Sequence, residues 1–140
     1  MKRIPDFPPK AFYRIRPPTA HELDDMIDKG TTGIVDAELA RKKCTRGHGL
    51  MVASWEVGSE HATVFAIGVV TGVGTSGQFE VEWTRGPFTL QRSTRGGDHF
   101  WSQPDPTFKF ADPVAEDLGL KGFYRKHGND PFAALRINAS

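Results

Sequence analysis

The stretches LMVASWEV (residues 50–57), ATVFAIGVVTGV (62–73) and QFEVEWT (78–84) decide the fold class of this chain. From Leu50 onward, the apolar period changes to that of strands. The middle stretch is almost continuously apolar, as expected for a central strand covered on both faces, and Gly68 within it indicates a bulge or a close backbone approach. A glycine-rich turn over residues 74–77 joins the last two stretches into a hairpin. These strands are the predicted core of the sheet.

Upstream of these strands, the pattern predicts one more short strand and two helices. AFYRIR (residues 11–16) is the strand, and the prolines after it end its pairing. Thr19 and Glu22 fit a capping box, so a first helix begins there and ends at Gly30. A second helix is predicted from Asp36, as its N-cap, to about Cys44. The order of elements favours an α+β domain over a βαβ nucleotide-binding fold.

Downstream of residue 84, the sequence predicts short elements only. PFTLQRS (residues 87–93) and part of 98–110 add shorter strands, and Asp112 and Asp130, each followed by proline, begin short helices. The fold class is therefore α+β, a compact mixed β-barrel with flanking short helices.

Length and composition place this domain among globular proteins. A chain of 140 residues, 38% hydrophobic, forms one domain, here residues 11–140 after an extended N-terminal arm of residues 1–10. No apolar run is long enough for a membrane span or a signal peptide, so we expect a cytoplasmic protein. A single cysteine, Cys44, excludes an intramolecular disulfide. The net charge of +1 gives no global argument for nucleic-acid binding, which must rest on local patches.

Three tryptophans, Trp55, Trp83 and Trp101, lie at or near the ends of predicted strands. Strand ends converge in a small barrel, and indole faces there can stack on a nucleobase, worth about 1–3 kcal/mol per base. The alternative is that each tryptophan is half-buried core.

A helix-rich segment, residues 19–46, is followed by three strand motifs: GHGLMVASW (47–55), VFAIGVVTGV (64–73) and EVEW (80–83). In this order of motifs, the chain resembles the EVE branch of the PUA-like superfamily over about residues 11–110. It implies a pseudo-barrel with a pocket for a modified or flipped base and a basic surface for the nucleic-acid backbone.

Matched position by position, Ser54 and Trp55 fall where the family's strand exits into its pocket, and residues 66–68 match the inner strand. The chain departs from the family between Thr84 and Thr107 and at residues 61–63. The remaining pocket walls are therefore nominated from this sequence itself: Trp83, Phe100 and Trp101.

Two groups of cations could follow a phosphate backbone. One group lies around the second helix and the other lies in the long segment after residue 84; they are Arg41, Lys42, Lys43 and Arg46, and Arg85, Arg92 and Arg95. Each phosphate contact steepens the dependence of affinity on salt, by about 0.9 for duplex DNA. The alternative is a solvated helix face with scattered loop charges.

The sequence contains candidate catalytic and metal-binding residues but no complete catalytic or metal-binding motif. Cys44 and His48 could form a nucleophile and base, and a metal could be imagined at Glu60–His61 or Asp98–His99. No third ligand stands at motif spacing, the glycine-rich turn has no Walker lysine, and Cys44 suits a small buried apolar residue. We therefore expect no enzyme, no metal and no cofactor.

The sequence favours a non-catalytic reader of DNA or RNA, in which an aromatic pocket accepts a base, possibly one carrying a modification, and cations hold the phosphates. The rival hypothesis is a module whose aromatic groove accepts a peptide or a partner protein, with no role for nucleic acid. The salt dependence of binding separates the two.

Overall fold

The structure is a computed structural model that describes residues 4–55, 61–91 and 107–139. Its strands are β1 (Phe12–Ile15), β2 (Gly49–Trp55), β3 (His61–Val73), β4 (Phe79–Gln91) and β5 (Thr107–Lys109). Its helices are α1 (Ala20–Lys29), α2 (Asp36–Arg41), α3 (Asp112–Leu118), α4 (Leu120–His127) and α5 (Ala133–Ala139), and a 3-10 turn (Gly33–Val35) precedes α2.

The strands form one five-stranded sheet in the order β4-β3-β2-β1-β5. The pair β1 and β2 is parallel, and the other neighbouring pairs are antiparallel. The predicted α+β class is confirmed. The sheet is open within the described residues, with β4 and β5 at its edges, and the predicted closure into a barrel is not confirmed.

The long ribbon of β3 and β4 corrects one prediction. PFTLQRS does not start a new strand, because its first residues continue β4 without interruption as far as Gln91. Pro87 is tolerated there since β4 is an edge strand and needs no donor on its outer side. Gly86 is required, because a Cβ at this position would lie 2.5 Å from the carbonyl oxygen of Val64. The pairing of β3 with β4 shifts register at a bulge between Val64 and Ala66, opposite Gly86 and Pro87.

Helices cover both faces of the sheet, and each face has its own apolar cluster. We call the side covered by α1 and α2 the α1/α2 face; its cluster includes Tyr13, Leu39 and Leu50. We call the other side the α3–α5 face; its cluster includes Met51, Leu120 and Tyr124. β1, β2 and the middle of β3 are buried on both faces, which confirms the expectation for the central strand.

The ends of the helices agree with the sequence in part. The capping box of Thr19 and Glu22 and the left-handed Gly30 that ends α1 are both confirmed. α2 is shorter than predicted, and Asp36 is its first residue, not its cap. Asp36 does not cap the helix, because its carboxylate accepts hydrogen bonds from the Thr32 hydroxyl and from the Phe79 backbone amide of β4. α4 is a separate helix that the sequence reasoning did not single out.

The two ends of the sheet differ, and β2 connects them. At one end, called the Gly47 end, the chain enters β2 at Gly49 after the turn that holds Arg46 and Gly47. At the other, called the Trp55 end, β1 stops at Ile15 opposite Val52, whereas β2 continues to Trp55. Among the described residues, no helix is long and apolar enough to cross a membrane.

Candidate ligand site at the Trp55 end

Trp55 lies at the end of β2, beyond the last residue that pairs with β1. It pairs with Ala62 of β3, but β1 has already ended, so the last residues of β2 form a step beyond the end of the parallel pair. The indole is half-buried against the cluster of the α3–α5 face, and Ser54 is half-buried too. Because side chains alternate along a strand, Ser54 points to the α1/α2 face. The two residues that the family resemblance placed together therefore lie on opposite faces.

Arg14 is the functional candidate that sequence reasoning missed. Only 3% of this charged residue is exposed, because β1 is an interior strand that is covered on both faces. Its Nε donates to the carbonyl oxygen of Ala53 at 2.9 Å, and the guanidinium carbon lies 5.3 Å from the Phe108 ring centroid. Burial lowers the pKa of Arg14 to about 10, with a smaller contribution from Arg16, so the side chain stays charged at neutral pH.

Arg14 and Trp55 share the α3–α5 face. Ala53, whose carbonyl Arg14 contacts, is two residues before Trp55 on that side of β2, a separation of about 7 Å along the strand. A buried cation and a half-buried indole thus lie on the same face of the sheet. The sequence carried one signal of it, an arginine inside the otherwise apolar run FYRI.

Trp83 does not belong to this group. It lies on the α1/α2 face, pairs with Gly68, and its indole Nε1 donates to the carbonyl oxygen of Thr31 at 3.0 Å. The predicted close approach at Gly68 is confirmed, because a Cβ there would lie 2.7 Å from Trp83 Cε3 and 2.5 Å from Val81 Cγ1. The structure separates Trp83 from Trp55 by the thickness of the sheet. The prediction that both line one pocket is therefore corrected.

The other nominated residues fall outside the described residues. They are two aromatic wall residues, Phe100 and Trp101, and two predicted phosphate contacts, Arg92 and Arg95. The same holds for Glu60, Asp98 and His99, the metal candidates. These assignments stay predictions from the sequence.

The predicted phosphate contacts around α2 lie far from Trp55. Exposed Arg41 forms an ion pair with Glu38, and Lys42 ends α2, its carbonyl oxygen accepting from the Tyr13 hydroxyl at 3.0 Å. Lys43 is exposed. Arg46 donates from Nε to the Thr71 carbonyl oxygen at 3.2 Å. Arg46 precedes β2, so about 20 Å of strand separates its backbone from Trp55.

Arg85 is bound to a helix of the α1/α2 face. Its guanidinium forms an ion pair with Asp24 of α1, with Nη1 and Oδ1 2.9 Å apart. This contact fastens β4 to α1 on the α1/α2 face, away from Trp55. Arg85 is therefore not brought together with the indole of Trp55.

Four cavities stand out among the described residues, and neither Trp55 nor Trp83 lines any of them. Two of them, of 270 and 670 Å³, share Pro5 and Arg46 at the Gly47 end. His48 lines the smaller one and accepts at Nδ1 from the Thr45 amide. Burial, with a smaller effect of Lys109, lowers the pKa of His48, so its ring is neutral at pH 7.

The surroundings of Cys44 do not favour a role as a nucleophile. The side chain is buried on the α1/α2 face, and burial raises the pKa of the thiol to about 12. A thiol with that pKa holds its proton at neutral pH and is a poor nucleophile. In the described part of the chain, no group of three or more His, Cys, Asp or Glu residues is arranged to hold a metal ion.

Comparisons of this chain with protein-family models, with curated proteins and with solved structures find no match.

Proposed function

We propose that this protein is a nucleic-acid-binding reader that stacks a base, possibly a modified one, on Trp55 at the Trp55 end of the sheet. The observation that carries the proposal is a half-buried indole at the end of β2, on the face of the sheet that also holds the buried cation of Arg14. An indole offers a stacking face to any base, and a buried cation on the same face favours an anionic ligand. DNA and RNA both fit this chemistry.

The proposal includes assignment of the chain to the EVE branch of the PUA-like superfamily, with the open sheet as part of a pseudo-barrel. What supports it is the order of elements over residues 11–110: a strand, a helix-rich segment, a strand that starts at a glycine turn, and two long antiparallel strands. Trp83 is left out of the pocket, and Phe100 and Trp101 are kept as walls predicted from the sequence alone.

Variants of Trp55, compared with a variant of Trp83, test the proposed base site. We expect Trp55→Ala to weaken binding of single-stranded oligonucleotides by about 5- to 150-fold, the equivalent of 1–3 kcal/mol of stacking. Trp55→Phe keeps part of this stacking. Trp83→Phe is the matched control, because it shortens an indole of the same sheet on the opposite face and leaves Trp55 untouched.

Fluorescence anisotropy of labelled DNA and RNA oligonucleotides, with and without modified bases, gives the affinities. Equal affinities for the wild type and Trp55→Ala would remove the base site. An equal loss in Trp83→Phe and Trp55→Phe would show that general damage to the sheet, and not stacking, weakens binding.

A peptide-binding module remains the second candidate because of one further observation. Phe88, Phe123 and His127 form a half-buried aromatic cluster on the α3–α5 face, with centroid separations of 6.0, 4.4 and 4.7 Å. An aromatic surface of this kind also suits an apolar peptide. Binding of such a partner would be nearly independent of salt, whereas phosphate contacts lose affinity steeply as salt rises.

A further inference from the structure

α4 presents a cationic face to solvent. Leu120 and Tyr124 are buried in the cluster beneath the helix, and the opposite side exposes Lys121, Arg125 and Lys126. Lys121 and Arg125 are four apart and lie on one side of the helix. Lys126 follows about 100° further round the helix and extends the same exposed surface. The sequence of α4 is LKGFYRKH and contains no acidic residue.

The cations of α4 differ from Arg41 and Arg85, two of the cations predicted from the sequence, in forming no ion pair in the described part of the chain. In the described part of the chain, none of the three cations of α4 forms an ion pair, whereas Arg41 pairs with Glu38 and Arg85 with Asp24. Asp112 and Glu116 share a cavity of 650 Å³ with Lys121 and reduce the positive potential there. Arg125 and Lys126, one turn further along the helix, are the strongest candidates for contact with an anion.

Gly122 lies among these cations, and the fold does not require it. A Cβ at this position would meet no atom within 4 Å, and the residue is exposed. Glycine in the interior of a helix costs about 0.5–1 kcal/mol relative to alanine. A residue without a side chain does, however, let a ligand approach the backbone closely between flanking cations.

The C-terminal end of α4 lies near the candidate base site. His127 packs on Phe88 of β4. Phe88 pairs with Val64 of β3, and Val64 pairs with Ala53 of β2, so these three residues form one row across the sheet. The next row on this face, two residues along, holds Leu90, Ala62 and Trp55. The Cα atoms of Phe88 and Trp55 are thus about 12 Å apart, two strand spacings across and one row along.

We propose that α4, and not the segment from Arg41 to Arg46, binds the phosphates of the strand whose base stacks on Trp55. This inference rests on the proposed function, since it names the phosphate-binding surface of that same site. Arg125 and Lys126 each contact a phosphate, and Gly122 lets the backbone of the strand lie close to the helix.

Single charge-neutralising variants test the inference. Arg125→Gln and Lys126→Gln should each reduce the slope of log affinity against log salt by about 0.7 for a single-stranded oligonucleotide. Lys29→Gln is the matched control, because Lys29 is also an exposed cation in the last turn of its helix, on the α1/α2 face. It removes the same charge and the same interaction with a helix dipole.

The titrations use the full chain, a labelled oligonucleotide and several salt concentrations, with a thermal melt of each variant to confirm folding. A slope in Arg125→Gln and Lys126→Gln equal to that of the wild type would overturn the inference, and so would an equal reduction in Lys29→Gln. If Trp55→Ala weakens binding while the α4 variants do not, the proposed function stands and this inference falls. If only the α4 variants weaken binding, the base site falls and the phosphate surface stands. A wild-type chain that binds no oligonucleotide at low salt would overturn both.

Discussion

The two faces of the sheet carry the same kinds of side chain in opposite circumstances. On the α1/α2 face, Trp83 donates to Thr31 and Arg85 is paired with Asp24, so the indole and the cation fasten helix and loop to the sheet. On the α3–α5 face, Trp55 is half-buried at the end of β2, and α4 displays cations without acidic partners in the described part of the chain. The cations of α4 are therefore better candidates for contact with an anion than Arg85, whose charge is already used in an ion pair that holds the fold.

The largest effect is expected from the two cores themselves. Leu39 and Leu120 are both fully buried, one on each face, and each leucine-to-alanine change should cost about 2–5 kcal/mol of unfolding free energy. Urea unfolding followed by circular dichroism gives the loss. Because both clusters pack on the same strands, both variants should keep a single transition. A second transition in either variant would show that one face unfolds independently.

The next comparison uses the two tyrosines, one on each face. Burial, and to a smaller extent Cys44, raises the pKa of Tyr13 to about 12, and burial raises the pKa of Tyr124 well above its usual value of 10.0. The stability due to the protonated phenols is fully present below pH 10 and is lost as pH rises towards 12. These are the only two tyrosines of the chain.

Absorbance at 295 nm should therefore stay flat near pH 10 and rise only where circular dichroism shows unfolding. Tyr13→Phe and Tyr124→Phe assign the signal to a face. Ionisation of either tyrosine near pH 10 in the folded protein would contradict the burial of that face.

A smaller effect is expected when the indole hydrogen bond of the α1/α2 face is removed. Trp83→Phe leaves the Thr31 carbonyl oxygen without its donor and should cost about 1 kcal/mol or more of unfolding free energy. Trp55→Phe, at a half-buried position at the end of β2, should cost less. The midpoints of urea unfolding compare them, and a larger loss for Trp55→Phe would assign Trp55 a structural role.

The smallest effect is a gain. Gly122→Ala should stabilise the protein by about 0.5–1 kcal/mol, since the position is helical, exposed and unobstructed. Gly30→Ala is the contrast: Gly30 ends α1 at φ 65°, and a Cβ there would lie 3.1 Å from the Val81 carbonyl oxygen, so this variant should lose stability. Thermal melts measure both. If phosphate lies against α4, Gly122→Ala also weakens oligonucleotide binding, and a variant that gains stability without losing affinity would contradict the close approach.

Local signals predicted the individual elements of the fold well. Alternating and continuous apolar runs indicated the strands, and the capping box of Thr19 with Gly30 at the other end fixed α1. Prediction failed where a distant partner intervenes. Asp36 does not cap α2 because its carboxylate accepts from the backbone amide of the distant Phe79, as well as from the Thr32 hydroxyl, and β4 continues through Pro87 because it lies at the edge of the described sheet.

The candidate site shows the same division. Trp55 could be nominated from its position at a strand end, and Arg14 could not, because an arginine in a short strand gives no sign that the strand is buried on both faces. The prediction that Trp55 and Trp83 share one pocket concerned their positions in the fold, which the sequence does not give. The alternation of side chains through the bulges of β3 places Trp83 on the opposite face from Trp55.

By itself, the sequence determined most of the strand and helix segments, because backbone propensity, caps and apolar period act between near neighbours in the chain. Tertiary structure alone decided which face of the sheet each described tryptophan occupies and the roles of the described cations, some of which are held in ion pairs. Those roles depend on contacts between residues far apart in sequence, such as Trp83 with Thr31 and Arg85 with Asp24, and on the face of the sheet that each strand residue occupies.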